Sequence, residues 1–249
     1  PSSSPTTSPV TTAPTSPPTS WDATRFPKLA VERLRIDCFQ RYIQTLSNFG
    51  DRTQGSPSYQ QAAEWTRYVL ETFGYNNVEE HVYTYQGQRR SNLYVTKIGQ
   101  TRPQEMYILS AHLDGRGGGG AANDDGSGCA LLLEIARVLA LPDVELDVSI
   151  RLIFWNNEET GLNGAYAYVQ DRHALQGREQ QDAVNGIVYP EPTWLGLVTH
   201  DQILFDHGLP VQAEQIPDAD ADIEYQADSR WAAQSQQLAR SLQMGNTHY

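Results

Sequence analysis

The chain has 249 residues, of which 39% are hydrophobic, and its formal net charge is −12 at pH 7. A chain of this size can bury one substantial core or two small ones, and we expect one domain preceded by a tail. The negative charge argues against nucleic acid or an anionic membrane as a partner, because phosphate groups attract Lys and Arg. No run of 18 or more apolar residues occurs, so we expect no membrane span.

The first twenty residues are almost entirely Pro, Ser, Thr and Ala. They cannot bury enough apolar surface to offset the entropy lost on ordering, so we predict a disordered linker over 1–25 and a folded domain over 26–249. Ser/Thr/Pro-rich stalks outside the cell are often O-glycosylated, which favours a secreted, extracellular or periplasmic protein over one with a cytosolic linker. Because the first residue is Pro, we expect a processed or truncated product.

Hydrophobic periodicity predicts helices and strands in alternation along the rest of the chain. Apolar residues recur at helical spacing from Leu29 to Leu46, and a second helix is predicted from Tyr59 to Phe73, ended by Gly74. The later predicted elements are strands at 81–85, 91–98, 105–111, 148–155 and 194–199, and helices at 127–141, 162–169 and 230–242. This alternation predicts an α/β fold whose mostly parallel, twisted sheet is covered by helices on both faces.

Three of the predicted strands are each followed by a side chain of the kind that binds metal. His112 follows the third strand, Glu158 and Glu159 follow the fourth, and Asp201 follows the fifth. The carboxyl ends of strands in open α/β sheets are where ligands bind, so these side chains should converge in one crevice. Asp124 joins them from the start of the helix at 127–141.

The residue types indicate a hydrolytic metal centre. One imidazole with several carboxylates suits two divalent cations that share a bridging carboxylate and a water. Two cations about 3.5–4 Å apart lower the pKa of that water to roughly 7 and polarise a substrate carbonyl. Amide hydrolysis also needs a proton carrier, and the adjacent Glu158 and Glu159 can divide these tasks between metal binding and proton transfer.

Each motif has a simpler interpretation when it is considered alone. Asn123 to Gly126 would serve as a turn and helix cap, and the paired glutamates as an acidic first helical turn. Their joint occurrence, in order and after predicted strands, favours the metal centre. The glycine-rich segment 115–120 lacks the Lys-Ser/Thr of a phosphate-binding loop, so we predict a flexible connection beside the metals. The acidic run 218–228 is predicted to be a solvated loop rather than a calcium site.

The remaining histidines and the cysteines have weaker signals. His200 and His207 flank Asp201 and either contact the metals, hold a metal ligand or form structural hydrogen bonds, whereas His81 and His173 are predicted to be surface residues. Two cysteines are too few for a disulfide framework, so each is predicted to be a small buried hydrophobe, with a single bridge between them as the alternative. The tryptophans that we predict to pack in the core or at its rim are Trp155, Trp194 and Trp231.

Three blocks of the sequence resemble the signature blocks of the di-zinc aminopeptidase family, which also includes glutamate carboxypeptidases and glutaminyl cyclases. They are SAHLDG at 110–115, ANDDGSG at 122–128 and FWNNEETGLNGA at 154–165, and an earlier block, DRTQGS at 51–56, is also similar. The resemblance covers roughly 51–208. It implies a zinc-exopeptidase fold of the phosphorylase/hydrolase-like type and two zinc ions. It also implies an exopeptidase that hydrolyses a terminal peptide bond, with an aminopeptidase acting on peptide or protein N-termini as the favoured activity.

Carried over position by position, the resemblance assigns most of one zinc site. His112 would ligate the first zinc, and Asp114 would orient its imidazole from behind. Asp124 would bridge both metals. Asp201, in the block THDQIL, would be a further ligand of the first zinc.

The second zinc site is implied less completely. Glu158 would be the general base and Glu159 a ligand of the second zinc. The last family ligand is a His in a loop near the C-terminus, and His248 is a poor match for it. We therefore expect that the chain stops before the family domain is complete and that the second zinc is one ligand short.

Three further interpretations remain open. Carboxypeptidase action and glutaminyl cyclisation, which in its branch of the family uses a single zinc, are alternatives on the same scaffold. A binding domain without catalytic activity is the third, because the final His ligand has no convincing counterpart.

Overall fold

A computed structural model describes residues 25–204 and 223–248. The linker predicted over 1–25 lies outside this part except for Arg25, which begins the first helix. His207 and residues 218–222 of the predicted acidic loop also lie outside it.

Six helices and seven strands make up the described parts of the chain. The helices are α1 (Arg25–Glu32), α2 (Ile36–Asn48), α3 (Pro57–Thr72), α4 (Gly126–Leu139), α5 (Asn163–Arg172) and α6 (Ala232–His248). The strands are β1 (Glu79–Tyr85), β2 (Gln88–Lys97), β3 (Arg102–His112), β4 (Val148–Trp155), β5 (Gln180–Asp182), β6 (Gly186–Val188) and β7 (Thr193–Thr199). Each predicted helix and strand is present, but the helical segment predicted from Leu29 to Leu46 is divided into α1 and α2, and the short β5–β6 hairpin was not predicted.

The central sheet has the strand order β1-β2-β4-β3-β7. β3 runs parallel to both β4 and β7, so these three strands form the predicted parallel part. β1 and β2 are antiparallel to their neighbours. Gln86 and Gly87, both with positive φ, connect them, and a two-residue turn of this kind joins only antiparallel strands. The sheet is therefore mixed, and its parallel strands end at one edge.

Helices cover both faces of the sheet, as predicted for an α/β fold. The larger core cluster lies on the side of α2, α3 and α4, where Leu132 and Leu133 pack with Leu152 and Phe154 of β4. The smaller cluster lies on the side of α5, where Tyr168 packs with Met106 and Ile153. Eleven of the fourteen residues of α4 are buried, which explains its almost uniformly apolar sequence.

β7 is the last strand of the sheet in the described ranges, and its residues alternate between half-buried and exposed. On one side α6 reaches it: a Cβ at Gly196 would lie 2.9 Å from Leu238 Cδ2, so glycine allows the helix to approach. None of the helices in 25–204 and 223–248 is long and apolar enough to cross a bilayer.

The prediction that His81 lies at the surface was wrong. His81 is only 4% exposed, because α5 covers this side of β1. Its Nε2 lies 2.9 Å from Asp171 Oδ2, and its Nδ1 lies 3.1 Å from the Asn92 amide nitrogen. The two cysteines are buried, as predicted, and both are free thiols, so the alternative of a bridge is excluded.

Candidate metal centre

The parallel strands deliver the predicted side chains to the same edge of the sheet. His112 is the last residue of β3, Glu158 follows β4 by three residues, and Asp201 follows β7 by two. Asp124 lies beside the start of α4, whose N-cap residue is Asp125. The structure thus brings together residues that are up to 89 positions apart in the sequence, since Asp201 lies close to His112.

The ring of His112 has a fixed orientation. Its side chain is 2% exposed, and Nδ1 lies 2.9 Å from the carbonyl oxygen of Asp114, which can accept its proton. Nε2 then faces three carboxylates, at 2.9 Å from Asp124 Oδ1, 3.7 Å from Asp201 Oδ1 and 3.9 Å from Glu158 Oε2. A ring nitrogen surrounded by carboxylates needs either a proton or a metal ion between them.

These residues fit a divalent cation. The candidate ligand atoms of His112, Asp124 and Asp201 all lie within 4.8 Å of one another. One imidazole nitrogen with two carboxylate oxygens is a donor set that suits zinc. Burial lowers the pKa of His112, but the facing carboxylate of Asp201 and the negative charges of Asp125 and Asp114 together raise this pKa to about 10. The surroundings of Nε2 therefore strongly favour a positive charge.

Asp125 ties the start of α4 to the end of β3. Its Oδ1 accepts the Gly128 amide at 2.8 Å and caps the helix, and its Oδ2 accepts the His112 amide at 3.0 Å. A Cβ at Gly128 would lie 2.3 Å from the His200 carbonyl oxygen, so only glycine fits here. Burial raises the pKa of Asp125 well above its usual range. This arrangement fixes the neighbouring Asp124 opposite the imidazole; the peptide bond between the two aspartates is cis.

Asp114 is fully buried and acts through two different groups. Its carbonyl oxygen accepts the proton of the His112 ring, whereas its carboxylate lies 3.8 Å away from that ring. The carboxylate accepts the backbone amides of Glu158 at 3.1 Å and Glu159 at 3.3 Å. Asp114 therefore holds both the imidazole and the turn that carries the two glutamates.

The two glutamates have different partners. Glu158 is 27% exposed at its side chain and faces His112, and burial raises its pKa. The Glu159 side chain is only 9% exposed, and its Oε2 lies 2.9 Å from Nε of Arg116. Burial and the charge of Asp124 raise the pKa of Glu159, and this carboxylate does not belong to the three-residue group that could hold a metal ion.

A cavity of about 290 Å³ opens beside the metal centre on the α5 side of the sheet. Part of its lining is polar and includes His112, Glu158 and Asp201, and the rest is largely apolar. Such a lining is typical of a small pocket that holds a ligand side chain. The residues that line it are His112, Trp155, Glu158, Leu162, Ala165, Leu197, Thr199 and Asp201.

His200 lies next to Asp201 but points elsewhere. Its ring Nδ1 is 3.3 Å from the carbonyl oxygen of Ser110, and its backbone amide donates to the same oxygen at 2.8 Å. Burial lowers the pKa of His200, which keeps its ring neutral. Of the interpretations left open for this residue, its contacts support structural hydrogen bonding.

Arg52 was not predicted to have a role, although it lies in the DRTQGS block. It is completely buried, and its guanidinium donates to four backbone carbonyl oxygens. One belongs to Leu46 in α2, at 3.1 Å, and the others to Leu113, Gly120 and Ala121, at 2.8 to 3.0 Å. Arg52 thus fastens both ends of the loop between His112 and Asp124.

The fold and the site define an α/β protein with a candidate metal centre at the carboxyl edge of its parallel strands. Residues 92–188 match Peptidase family M28. This match confirms, over that part of the chain, the resemblance seen in the sequence.

Two curated relatives match part of the chain. Leupeptin-inactivating enzyme 1 of Streptomyces exfoliatus is 25% identical over 150 residues, which are 60% of this chain and 34% of that protein. The "Probable lipoprotein aminopeptidase LpqL" of Mycobacterium tuberculosis is 33% identical over 140 residues, which are 54% of this chain and 26% of that protein. The chain thus spans about a third or less of the length of these relatives.

The crystal structure of LapB from Legionella pneumophila superimposes with a TM-score of 0.57 at 24% identity. The match covers 75% of this chain and 48% of LapB. It shows that the two proteins share a fold.

Proposed function

We propose that this chain is a zinc-dependent exopeptidase that removes the first residue of a peptide, that is, an aminopeptidase. The observation that carries the proposal is the meeting of His112 Nε2 with the carboxylates of Asp124, Asp201 and Glu158 beside a small cavity. The family match over 92–188 and the aminopeptidase named among the relatives support it.

The residues of the site would supply three ligands for one metal ion and fewer for a second. His112, Asp124 and Asp201 would hold the first zinc, and Asp124 would also reach a second one together with Glu159. Bound zinc would supply a water that ionises near pH 7 and would polarise the carbonyl of the scissile bond. Asp114 keeps the imidazole oriented through its carbonyl oxygen, so that Nε2 stays available as a ligand.

Glu158 is placed to move the proton of the reaction. Its carboxylate borders the cavity and lies 3.9 Å from His112 Nε2, and Asp114 fixes its backbone. A carboxylate in this position accepts a proton from the attacking water and returns it to the leaving amine. The other glutamate of the pair is already engaged by Arg116 and is not free for this task.

The charges around the cavity favour the amino end of a substrate. Glu158 and Asp201 line it, and no Lys or Arg does so among the residues that the structure describes. A terminal carboxylate would therefore find no Lys or Arg to pair with among these lining residues, whereas a carboxypeptidase site needs such a partner. We therefore favour aminopeptidase over carboxypeptidase action.

The test compares three short peptides of the same sequence: one unmodified, one with an acetylated N-terminus and one with an amidated C-terminus. We expect zinc-loaded protein to cleave the unmodified and amidated peptides and to leave the acetylated one intact. Removal of zinc with a chelator should abolish cleavage, and added zinc should restore it. Cleavage of the acetylated peptide from its carboxyl end would overturn the assignment.

Cyclisation of an N-terminal glutamine is a second candidate. It is favoured by the single three-residue cation group in the described parts of the chain, since the cyclase branch of the family uses one zinc. A glutamine-initiated peptide that loses ammonia without hydrolysis, together with no release from a leucine anilide, would support this reaction instead.

We propose that the protein acts outside the cytosol. The support is compositional: residues 1–20 consist almost entirely of Pro, Ser, Thr and Ala, like an exposed stalk. Detection of the protein in the culture medium or cell envelope of its source would test this location, and confinement to the cytosol would exclude it.

A further inference from the structure

The carboxylate of Glu159 is occupied by an exposed arginine. Nε of Arg116 lies 2.9 Å from Glu159 Oε2, and its Nη1 donates to the Glu159 carbonyl oxygen at 3.2 Å. The Glu159 side chain is 9% exposed and that of Arg116 is 71% exposed. One partner is therefore fixed inside the site and the other reaches it from solvent.

The loop that carries Arg116 allows it to leave. The four glycines that follow it, 117–120, all have positive φ, between 64° and 95°. A Cβ at the first three would meet nothing within 4 Å, and these three glycines are exposed. At Gly120 the loop is anchored, because its carbonyl oxygen accepts from Arg52 and a Cβ there would lie 2.5 Å from the Ser47 carbonyl oxygen. Arg116 can move while the loop end near Asp124 stays in place.

The guanidinium and a second cation would satisfy the same carboxylate. A zinc ion shared by Asp124 and Glu159 needs an oxygen of Glu159, and the oxygen nearest to Arg116 already carries a charge-assisted contact. A positive side chain this close would also repel an incoming divalent ion. His112, Asp124 and Asp201, which would hold the first zinc, form no ion pair with a Lys or Arg in the described parts of the chain. A first zinc ion would therefore meet no such competitor.

We propose that Arg116 competes with the second metal ion for Glu159, so that the centre loads in two unequal steps and fills its second position only when Arg116 is displaced. This inference rests on the proposed zinc centre. The competition makes the second ion the weaker one and couples its binding to the position of the glycine-rich loop.

Zinc titration of the metal-free full chain, followed by calorimetry, tests the proposal. We expect Arg116→Ala to tighten the second binding step by about twofold to tenfold, in line with the strength of ion pairs that are partly exposed, and to leave the first step unchanged. If the wild type takes up only one zinc, the variant should take up two. Glu159→Gln should lose the second step and keep the first.

Arg89→Ala is the matched control. Arg89 is 74% exposed and lies 3.6 Å from Glu80, so it also belongs to an exposed ion pair, but away from the metal centre. Both binding steps should be unchanged in this variant. The difference between wild type and Arg116→Ala should also shrink at high salt, because added ions screen the competing arginine.

The outcomes separate this inference from the proposed function. A second step that is unchanged or weaker in Arg116→Ala, while the first step remains, overturns the role of Arg116 and leaves the zinc centre intact. The absence of any zinc binding in wild type and variants overturns the centre itself and the competition with it.

Discussion

Two clusters of charged side chains lie on or beside the parallel strands β3, β4 and β7, and they are built in opposite ways. In the Arg151 cluster, formed by Arg151, Glu191, Tyr168 and Trp194, both oxygens of Glu191 are satisfied. One accepts from Arg151 at 2.6 Å, and the other accepts the Tyr168 hydroxyl at 2.8 Å and the Trp194 indole. The ion pair at its centre is almost completely buried and has no net charge.

The His112 cluster, formed by His112, Asp124, Glu158 and Asp201, is not balanced. Three carboxylates face one imidazole nitrogen, and none of them forms an ion pair with a Lys or Arg of residues 25–204 or 223–248. A buried charge without a partner is costly, so balanced clusters serve the stability of a fold. An excess of one sign beside a cavity instead creates a site for an ion of the other sign.

Glu158→Gln should have the largest effect on function. It removes the proton carrier and keeps the shape of the side chain, so we expect kcat to fall by about 10²- to 10⁴-fold. Bound zinc and the free energy of unfolding should hardly change. Peptide cleavage assays with elemental analysis of the same samples make this measurement, with Glu64→Gln on exposed α3 surface as the control. Full activity in Glu158→Gln would remove this residue from the mechanism.

Glu191→Ala should have the largest effect on stability. It leaves the Arg151 guanidinium buried without its partner, so we expect the free energy of unfolding to fall by about 3–5 kcal/mol. Urea denaturation of metal-free protein measures this. Glu105→Ala is the matched control, because its ion pair with Arg102 is partly exposed and is worth at most about 1 kcal/mol. Equal losses in both variants would mean that the Arg151 cluster has no special role in folding.

Asp201→Asn should affect zinc binding strongly and stability little, the reverse of Glu191→Ala. The loss of one carboxylate ligand should weaken zinc binding at least about tenfold. Mutation of a residue that only hydrogen-bonds to a metal ligand already has an effect of this size. The unfolding free energy of the metal-free protein should change by no more than about 1 kcal/mol, because the Asp201 side chain is 42% exposed. The variant loses the attraction between Asp201 and His112, but it also loses the repulsion between Asp201 and the other carboxylates. Unchanged zinc affinity would exclude Asp201 as a ligand.

A smaller effect is expected from His81, whose ring packs edge-on against Tyr168 of the Arg151 cluster. Burial lowers its pKa below 6.5, and the hydrogen bond to Asp171 only partly opposes this. At His81 the unfolded chain therefore binds a proton more readily than the folded one. The contribution of His81 to the unfolding free energy is complete above the ordinary pKa of histidine and is lost as the pH falls through the folded pKa. Between about pH 7 and 5, unfolding free energy should depend less steeply on pH in His81→Gln than in the wild type. Equal slopes would contradict this.

The position of the candidate site could be predicted because it follows from strand direction. His112, Glu158 and Asp201 lie at the end of a strand or within three residues after one, and these three strands run parallel. Parallel strands place their ends at one edge of the sheet whatever their distance along the chain. The β1–β2 hairpin was implicit in the dipeptide Gln86-Gly87, but the predicted strand began at residue 91 and so did not reach this turn.

The contacts made by buried arginines could not be predicted in the same way. Arg52 binds carbonyl groups of the loop at 113–121, and Arg151 meets Glu191 forty residues later, and neither pairing has a periodic signal in the sequence. His81 was misplaced because its strand alternates in polarity, and only the packing of α5 decides which side is covered. The pairing of Arg116 with Glu159 depends on the conformation of four consecutive glycines. Glycine adopts positive and negative φ about equally readily, so the sequence does not determine this conformation.

The most direct test of the metal centre is a crystal structure of the zinc-loaded chain, with anomalous scattering recorded on both sides of the zinc absorption edge. We expect a zinc peak bonded to His112 Nε2, Asp124 and Asp201 at about 2.0–2.2 Å, with the second position beside Glu159 less occupied. A zinc peak elsewhere, or none at these three side chains after loading, would contradict the account.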